Sequence, residues 1–407
     1  MNIPLLQKID RLAGVPLCFL LTIARNIIGR KLPAGPVQPH RILFVKLAEQ
    51  GSTVLAAAAI ERAVKMVGRE NVFFICFKEN RFILDLLELI PVENVITVDR
   101  GSAGKLASST LAARRRMKEL KIDTAIDLEF FSRGSVVVAC LSGAQVRVGF
   151  HAYFGAGPYR GNLMTHRVLY NPQLHTSIMF QVVVEALLCD PAKLPTMEIP
   201  LPTASNVPRT FTPRAEEREK VRGLLPPGVG PRQPLILLNP NASDLLPLRR
   251  WPSMRYVELA QRLLEQLPEV YVGFTGAPEE AVETERLVRE VNSPRCICLG
   301  GKTTLRELMV LYNLAEILVT NDSGPAHFAA LTPINVITLF GPETPFLFAA
   351  GGPRHQAVWL GLGCSPCVSA YNNRQSPCQD NVCMKLITVD RVLNEVRKVY
   401  AQRMGTA

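Results

Sequence analysis

The chain alternates strand-like and helical segments in two successive halves. The strand-like runs are short and rich in β-branched residues, and the stretches between them carry apolar residues at helical spacing. The first half contains RILFVKL, NVFFICF, NVITVD, DTAIDLEF and QVRVGF; the second contains PLILLNP, EVYVGFTG, CICLGG, EILVTND and INVITLFGP. This order predicts an α/β protein with parallel sheets covered by helices on both faces.

Two proline-rich segments divide the chain: KLPAGPVQP precedes the first strand, and IPLPTASNVPRTFTPR separates the halves. A length of 407 residues suffices for two ordinary domains, and a composition of 48% apolar and 20% charged residues argues against disorder. We therefore predict two doubly wound, Rossmann-like domains facing across a cleft. The predicted boundaries are 1–40 for an N-terminal segment and hinge, 41–200 for the first domain, 201–213 for a linker, 214–387 for the second domain and 388–407 for a C-terminal helix.

The segment NDSGPAHFAAL, Asn321 to Leu331, lies between two strand-like runs and resembles the start of a helix. Pro325 suits the first helical position, and Gly324 allows a ligand to approach the backbone closely. The N–H groups of a first helical turn, at the positive end of the helix dipole, favour an anion. The segment therefore predicts an anion site at the carboxyl edge of the second sheet.

Four loops of the second half are expected to meet at that edge, because each follows a strand. Their arginines could neutralise a diphosphate, and a carboxylate could accept ribose hydroxyl groups. For Glu279 and Glu280 the alternative is ordinary compensation of the helix dipole, and Thr304 with Glu307 forms a predicted capping box. The predicted donor-binding residues are Asn239, Ser243, Arg249, Arg250, Glu279, Glu280, Lys302, Asp322, Ser323, Gly324 and His327.

Six motifs in order carry a resemblance to a known family: NPNAS…RRWP, TGAPEE, LGGKTTLREL, VTNDSGPAHFAAL, LFGPETP and CSPC. The chain resembles glycosyltransferase family 9, the lipopolysaccharide heptosyltransferases, over most of residues 41–400. The resemblance implies a two-domain GT-B fold, no required metal cofactor, and a nucleotide-sugar donor, ADP-heptose in typical members, held by the C-terminal domain. It implies that Arg249 contacts phosphate, that Glu280 or Glu279 contacts ribose, and that Asp322, Ser323, Gly324 and His327 line the diphosphate and sugar.

The first half departs from the family at one position. Typical members have an aspartate after the glycine of the first strand-to-helix loop, and it acts as the general base. In this chain the loop is KLAEQGST, so Gly51 is followed by Ser52. A serine hydroxyl is a poor base without a partner, and Glu49 is the nearest carboxylate in the loop. The predicted catalytic set is Glu49 as the base, with Ser52 shaping the loop and Asp127 and Glu129 as alternatives.

Four cysteines lie close together near the C-terminus, at Cys364, Cys367, Cys378 and Cys383. One C-x2-C pair followed by two further cysteines resembles a zinc knuckle, but the second pair is spaced by four residues. Unligated thiols or a redox pair are our first interpretation and zinc is the second. No cofactor is predicted to be required.

The net charge of +11 favours an anionic partner, and scattered aromatics at 7% of the chain argue against nucleic acid. Residues 12–24 are uncharged, lie between basic residues, and fall short of the roughly 20 residues that a bilayer crossing needs. The segment suits a helix lying on an anionic membrane surface or, equally, one packed on the protein itself. We expect a cytoplasmic protein, peripheral at the inner membrane face in the first case.

Two functions follow as hypotheses. The first, which the resemblance implies, is an inverting glycosyltransferase that moves heptose from ADP-heptose to a lipopolysaccharide core or another lipid-linked saccharide. The second is a GT-B-shaped protein that binds a nucleotide sugar or anionic glycan without turnover. The absent aspartate is the feature that separates them.

Overall fold

The computed structural model describes residues 3–28, 35–155, 157–202, 211–230, 233–242, 246–372 and 374–404. The chain forms two compact units. The first comprises Met1–Asn206 together with Ser369–Arg374, and the second comprises Val207–Val368 with Gln375–Ala407. The short piece Ser369–Arg374 therefore belongs to the first unit although its neighbours in sequence belong to the second.

The first unit is built on a six-stranded parallel sheet. Its strands are β1 (Ile42–Val45), β2 (Val72–Phe77), β3 (Val95–Val98), β4 (Thr124–Asp127), β5 (Val146–His151) and β6 (His166–Leu169). Its helices are α1 (Ile3–Leu12), α2 (Gly14–Ile28), α3 (Gln50–Leu55), α4 (Ala57–Val67), α5 (Arg81–Leu87), α6 (Ala103–Glu119), α7 (Arg133–Leu141) and α8 (Thr176–Glu185). The strand order is β3-β2-β1-β4-β5-β6, so the order reverses between β1 and β4.

The second unit repeats this architecture. Its strands are β7 (Leu235–Asn239), β8 (Tyr271–Phe274), β9 (Cys296–Cys298), β10 (Ile317–Asn321), β11 (Asn335–Leu339) and β12 (His355–Val358). Its helices are α9 (Ala215–Arg222), α10 (Ser253–Gln266), α11 (Ala281–Val291), α12 (Leu305–Leu314), α13 (Gly324–Ala329), α14 (Pro345–Phe348), α15 (Val382–Lys385) and α16 (Val389–Met404). The order β12-β11-β10-β7-β8-β9 reverses between β7 and β10.

Burial explains why the strands have continuous apolar sequences. All four residues of β1 and all five of β7 are buried, because helices cover both faces of each sheet. The core of the second unit includes Leu238 and Val319 from neighbouring strands and Leu263 from α10. The predicted α/β class with two doubly wound parallel sheets is confirmed.

The strand registers place the ends of neighbouring strands side by side at each reversal point. Val45 pairs with Asp127 in the first sheet, and Asn239 pairs with Thr320 in the second. Ligands of doubly wound sheets bind in the crevice outside the carboxyl ends at this point. The loops after β1 and β4, and those after β7 and β10, are therefore the places to look for a site.

Candidate functional site

In the second unit, a buried asparagine joins the loops after β7 and β10. The Asn321 side chain accepts hydrogen bonds from the Trp251 amide at 3.0 Å and the Tyr256 hydroxyl at 3.1 Å. Its amide donates to the carbonyl groups of Pro240 at 2.9 Å and Asn241 at 3.2 Å. A fully bonded buried amide holds its neighbours in one arrangement, so Asn321 sets the shape of this edge.

Arg249 lies in a short turn beside that edge and is engaged by two buried carboxylates. Its guanidinium pairs with Glu343, and its Nε lies 3.7 Å from Asp322 Oδ2. Its Nη1 also donates to the Asp322 carbonyl at 3.3 Å. Glu343 is only 2% exposed. One positive charge is thus shared by two negative charges at the predicted phosphate position.

Glu343 is a residue that the sequence reasoning missed. It follows β11, the strand next to β10, in the motif LFGPETP. That motif counted toward the resemblance but suggested no role for its glutamate. The available signal was its position after a strand that neighbours β10, because parallel strands bring their following loops to the same edge.

Other predicted donor residues brace the loops around the same edge. Asn239 donates to Thr275 Oγ1 at 3.1 Å, and Arg250 donates to the Ala242 carbonyl at 2.7 Å. The Ser323 hydroxyl donates to the Asn321 carbonyl at 3.2 Å. These three side chains therefore help to position the loops at this edge.

Helix α13 begins at Gly324, with Pro325 in its first turn, as the sequence predicted. A Cβ on Gly324 would lie 3.2 Å from the ring of Phe328, so a larger residue would displace that ring. His327, in the same helix, is buried. Ser243 lies outside the described residues.

The loops after β8 and β9 contact each other. Glu280 accepts a hydrogen bond from the Ala277 amide at 2.7 Å, which is a capping interaction. Gly276 lies against Asn241 and Glu280, since a Cβ there would be 2.9 Å from the Asn241 amide nitrogen and 3.2 Å from Glu280 Oε2. Glu279 and Lys302 are exposed on these loops. Of the two glutamates predicted to contact ribose, Glu280 is therefore the one that lies against the loop after β7.

The predicted capping box at the start of α12 is present. Thr304 accepts from the Glu307 amide at 3.2 Å, and Glu307 accepts from the Thr304 amide at 2.8 Å. A hydrogen bond from Lys220, with those from Thr304, lowers the pKa of Glu307 to about 2. Local capping therefore accounts for both residues.

In the first unit, Asp127 at the end of β4 is fully buried and fully bonded. It pairs with Arg160, accepts from the Ser135 hydroxyl at 2.9 Å, and accepts from the Glu129 amide at 3.0 Å. Burial raises the pKa of Asp127 to about 6 in spite of the Arg160 charge. A proton acceptor must reach its donor, so this geometry favours a structural role for Asp127.

Glu129 braces the loop that follows β1. Its Oε1 accepts from the Ala48 amide at 2.9 Å, and its Oε2 lies 3.6 Å from the ammonium group of Lys46. Lys46 is buried, with its ammonium group 6.0 Å from the centre of the Phe180 ring. The pair ties the ends of β1 and β4 together.

Glu49 immediately precedes α3 in a left-handed conformation, with φ 69° and ψ 85°. Its Oε2 accepts from the Ser52 hydroxyl at 3.2 Å, and its Oε1 pairs with Arg374. Its side chain remains 23% exposed, in contrast to the buried Asp127. Of the four predicted catalytic residues, the structure brings together Glu49 and Ser52 in one pair and Asp127 and Glu129 in another.

Arg374 was also missed by the sequence reasoning. It belongs to the piece Ser369–Arg374, which is held on the first unit by Tyr371. The Tyr371 hydroxyl donates to the Tyr170 carbonyl at 2.7 Å, and its ring stacks on Phe131 with centres 5.6 Å apart. Arg374 lies 325 positions from Glu49, and no local pattern in the sequence links them.

Two of the four clustered cysteines, Cys367 and Cys378, make hydrogen bonds with oxygen atoms. Ser376 donates to Cys367 Sγ at 3.2 Å, and Cys378 Sγ lies 3.0 Å from the Asp380 carbonyl. Burial raises the pKa of Cys383. Within the described ranges, no three His, Cys, Asp or Glu side chains are arranged to hold a metal ion.

Comparison with solved structures identifies the class of fold. ADP-heptose lipopolysaccharide heptosyltransferase II of Escherichia coli aligns with a TM-score of 0.67 at 18% identity, covering 89% of this chain and 99% of that one. The family 9 glycosyl transferase of Veillonella parvula aligns with a TM-score of 0.69 at 18% identity, covering 91% and 99%. The chain therefore has the GT-B fold, as predicted.

The sequence then identifies the family. Residues 110–376 match the model of glycosyltransferase family 9 (heptosyltransferase), and the chain belongs to this family. It is 28% identical over 181 residues to lipooligosaccharide heptosyltransferase 2 of Campylobacter jejuni, covering 41% of this chain and 54% of the relative. It is 32% identical over 175 residues to lipopolysaccharide heptosyltransferase 2 of E. coli K12, covering 42% and 48%. The matched stretches thus span about half the length of these curated relatives.

Proposed function

We propose that this protein transfers a heptose from ADP-heptose to a saccharide of the lipopolysaccharide core, with inversion at the anomeric carbon. The observation that carries the proposal is the polar cluster around Arg249 and Asp322 at the reversal point of the second sheet, in a chain of family 9. E. coli heptosyltransferase WaaC, a structural neighbour with a TM-score of 0.62 at 16% identity, has been solved with ADP. The acceptor lipid places the reaction at the cytoplasmic face of a membrane in this proposal.

In this proposal the second unit binds the donor. Arg249 supplies the positive charge for the diphosphate, and Gly324 allows the phosphate oxygens to approach the start of α13. Glu280 accepts hydroxyl hydrogens of the ribose. When the bond between the anomeric carbon and the diphosphate oxygen breaks, ADP leaves with an additional negative charge, and Arg249 stabilises it.

The first unit supplies the base. The acceptor hydroxyl oxygen forms the new bond to the anomeric carbon, and its proton passes to Glu49. Ser52 and Arg374 hold the two oxygens of this carboxylate in place. Glu49 is the more accessible carboxylate, whereas Asp127 is fully buried and bonded on both oxygens.

The second candidate function is binding of a nucleotide sugar without turnover. Two observations favour it: Ser52 stands where typical members have aspartate, and the Glu49 carboxylate is already paired with Arg374. A carboxylate engaged by a cation is a weaker proton acceptor than a free one. The two functions differ in whether donor is consumed.

The experiment measures release of ADP from ADP-heptose in the presence of a lipopolysaccharide-core acceptor. We expect turnover by the wild-type chain, and a loss of roughly 10²-fold to 10⁴-fold in Glu49→Gln at unchanged ADP affinity. Ser52→Ala is the matched control and should lose much less. ADP binding without turnover across donors and acceptors would establish the binding function instead.

A result of full activity in Glu49→Gln would remove Glu49 from the mechanism while leaving the transfer reaction intact. Asp127→Asn and Glu129→Gln would then be compared in the same assay. Since Asp127 is buried, its variant needs a parallel thermal unfolding measurement to separate loss of folding from loss of a base.

A further inference from the structure

Helices α1 and α2 follow one another across Ala13, whose amide donates to the Ile9 carbonyl at 2.8 Å and whose carbonyl accepts from the Leu17 amide at 3.2 Å. We call them the N-terminal helix pair, and a capping interaction fixes this pair on the first unit. The Asp10 carboxylate accepts hydrogen bonds from the backbone amides of Arg133 at 2.9 Å and Gly134 at 2.7 Å. It also lies 3.3 Å from the Arg133 guanidinium. These amides open α7, so Asp10 satisfies the first turn of that helix and compensates its dipole.

Helix α2 contacts the unit along one narrow face. The contacts lie at Gly14, Cys18, Thr22 and Arg25, which follow one another at helical spacing. Cys18 is fully buried against Val136, Leu163 and Met164. Thr22 accepts from the Asn162 amide at 3.0 Å. The orientation of α2, and therefore the identity of its opposite face, follows from these contacts.

The opposite face of α2 is apolar and exposed. We call it the α2 apolar face; it consists of Val15, Phe19, Leu20, Ile23 and Ile27. Phe19, Leu20 and Ile27 are 55%, 61% and 79% exposed. Val15, Phe19, Ile23 and Ile27 follow one another at intervals of four positions, and Leu20 precedes Ile23 by three. The five residues therefore form one continuous strip along the helix. A strip of this kind marks an interaction surface.

Charge indicates what covers the strip. Lys8 and Arg11 are exposed on α1, and the one acidic residue between positions 3 and 28, Asp10, is engaged with the start of α7. The α2 apolar face therefore has a cationic margin formed by Lys8 and Arg11. A second copy would bring the same positive charges, whereas an anionic lipid surface complements them.

Neither α1 nor α2 by itself has the roughly 20 apolar residues that a bilayer crossing needs. Helices α1 and α2 have 10 and 15 residues, and among the described residues no helix is long and apolar enough to cross a bilayer. An exposed apolar strip with basic neighbours suits a helix that lies in the plane of the interface.

We propose that the α2 apolar face docks the first unit onto the surface of an anionic phospholipid membrane. Side chains such as Phe19, Leu20 and Ile27 enter the interfacial region, and Lys8 and Arg11 contact lipid phosphates. This proposal is independent of the transfer reaction, because membrane binding requires neither donor nor acceptor.

Flotation of the full chain with phosphatidylcholine vesicles containing 30% phosphatidylglycerol tests the proposal. We expect the wild type to float, and the triple variant Phe19→Ser, Leu20→Ser, Ile27→Ser to bind at least about 100-fold more weakly, because each apolar side chain contributes. Val282→Ser is the matched control, since Val282 is 78% exposed on α11 of the second unit. It should bind as the wild type does.

Reversal of the two basic charges on α1 provides a second test of the proposal. Lys8→Glu with Arg11→Glu should weaken binding to the anionic vesicles roughly tenfold or more and reduce the preference over pure phosphatidylcholine. Deletion of the N-terminal helix pair is a poorer test, because it would uncover the core around Cys18 and remove the Asp10 cap. If the triple variant fails to fold, vesicle binding by the single variant Ile27→Ser is compared with that of the wild type instead.

Three results would overturn the proposal. The first is a wild-type chain that does not bind anionic vesicles, and the second is a folded triple variant that binds as tightly as the wild type. The third is a wild-type dimer in sedimentation velocity that the triple variant dissociates, without vesicle binding, since a second copy would then cover the face.

Discussion

The ion pairs of Arg249 with two carboxylates predict that substitutions of Arg249 and of Glu343 change donor affinity in opposite directions. If Arg249 contacts the diphosphate, Glu343 competes with the ligand for the same guanidinium. Removing the negative charge with Glu343→Gln should then tighten ADP binding, and removing the guanidinium with Arg249→Ala should weaken it.

The magnitude follows from the geometry. A phosphate that contacts the guanidinium would lie about 5 to 6 Å from the Glu343 carboxylate, where repulsion between unit charges is about 3 kcal/mol at an effective dielectric of 20. Screening and a less firmly held Arg249 side chain reduce the effect of removing this repulsion. We therefore expect Glu343→Gln to bind ADP more tightly by about 1.4 kcal/mol, or roughly tenfold. Arg249→Ala should lose about 1.5 to 3 kcal/mol of ADP affinity.

Isothermal titration with ADP measures both changes, and thermal unfolding accompanies it. Arg249→Ala leaves two buried carboxylates without their cation and should cost about 3 to 5 kcal/mol of stability. Arg262→Ala is the control, since Arg262 pairs on the surface with Asp390. Weaker ADP binding in Glu343→Gln would refute the competition argument, and unchanged binding in both variants would make Arg249 a purely structural residue.

Three further predictions concern stability. The pKa of Asp127 is raised from 3.8 to about 6 by burial, so its contribution to the free energy of unfolding should fall by about 3 kcal/mol as pH rises between these values. Urea titrations at pH 4 and pH 7 should show this fall, and Asp127→Asn should lack it. Asn321→Ala removes the four hydrogen bonds of a buried amide and should lower the urea-derived unfolding free energy by roughly 2 to 4 kcal/mol. Thr304→Ala removes a helix cap and should cost about 1 kcal/mol, whereas a loss below the error of the titration would mean that Glu307 alone sustains the cap.

Local patterns in the sequence were sufficient for the fold class and for ten of the twelve strands that the structure describes; they missed the edge strands β6 and β12. β-branched runs became the strands of two parallel sheets, and Gly324 with Pro325 opened a helix after β10. The capping box at Thr304 and Glu307 was also readable, because its two partners lie three residues apart. These features depend on neighbours along the chain, and therefore a single sequence contains them.

Pairings across long sequence separations were decided by the tertiary structure alone. Arg249 and Glu343 are 94 positions apart, and Arg374 and Glu49 are 325 apart. Strand order determines which loops share an edge, and chain topology carries the piece Ser369–Arg374 to the first unit. The sequence by itself predicted charged loops at the ends of strands. Which of those charges neutralise one another depends on the order of the strands and on the folding of the loops in space. Neither the strand order nor the loop folding can be recognised from residues that are neighbours in the sequence.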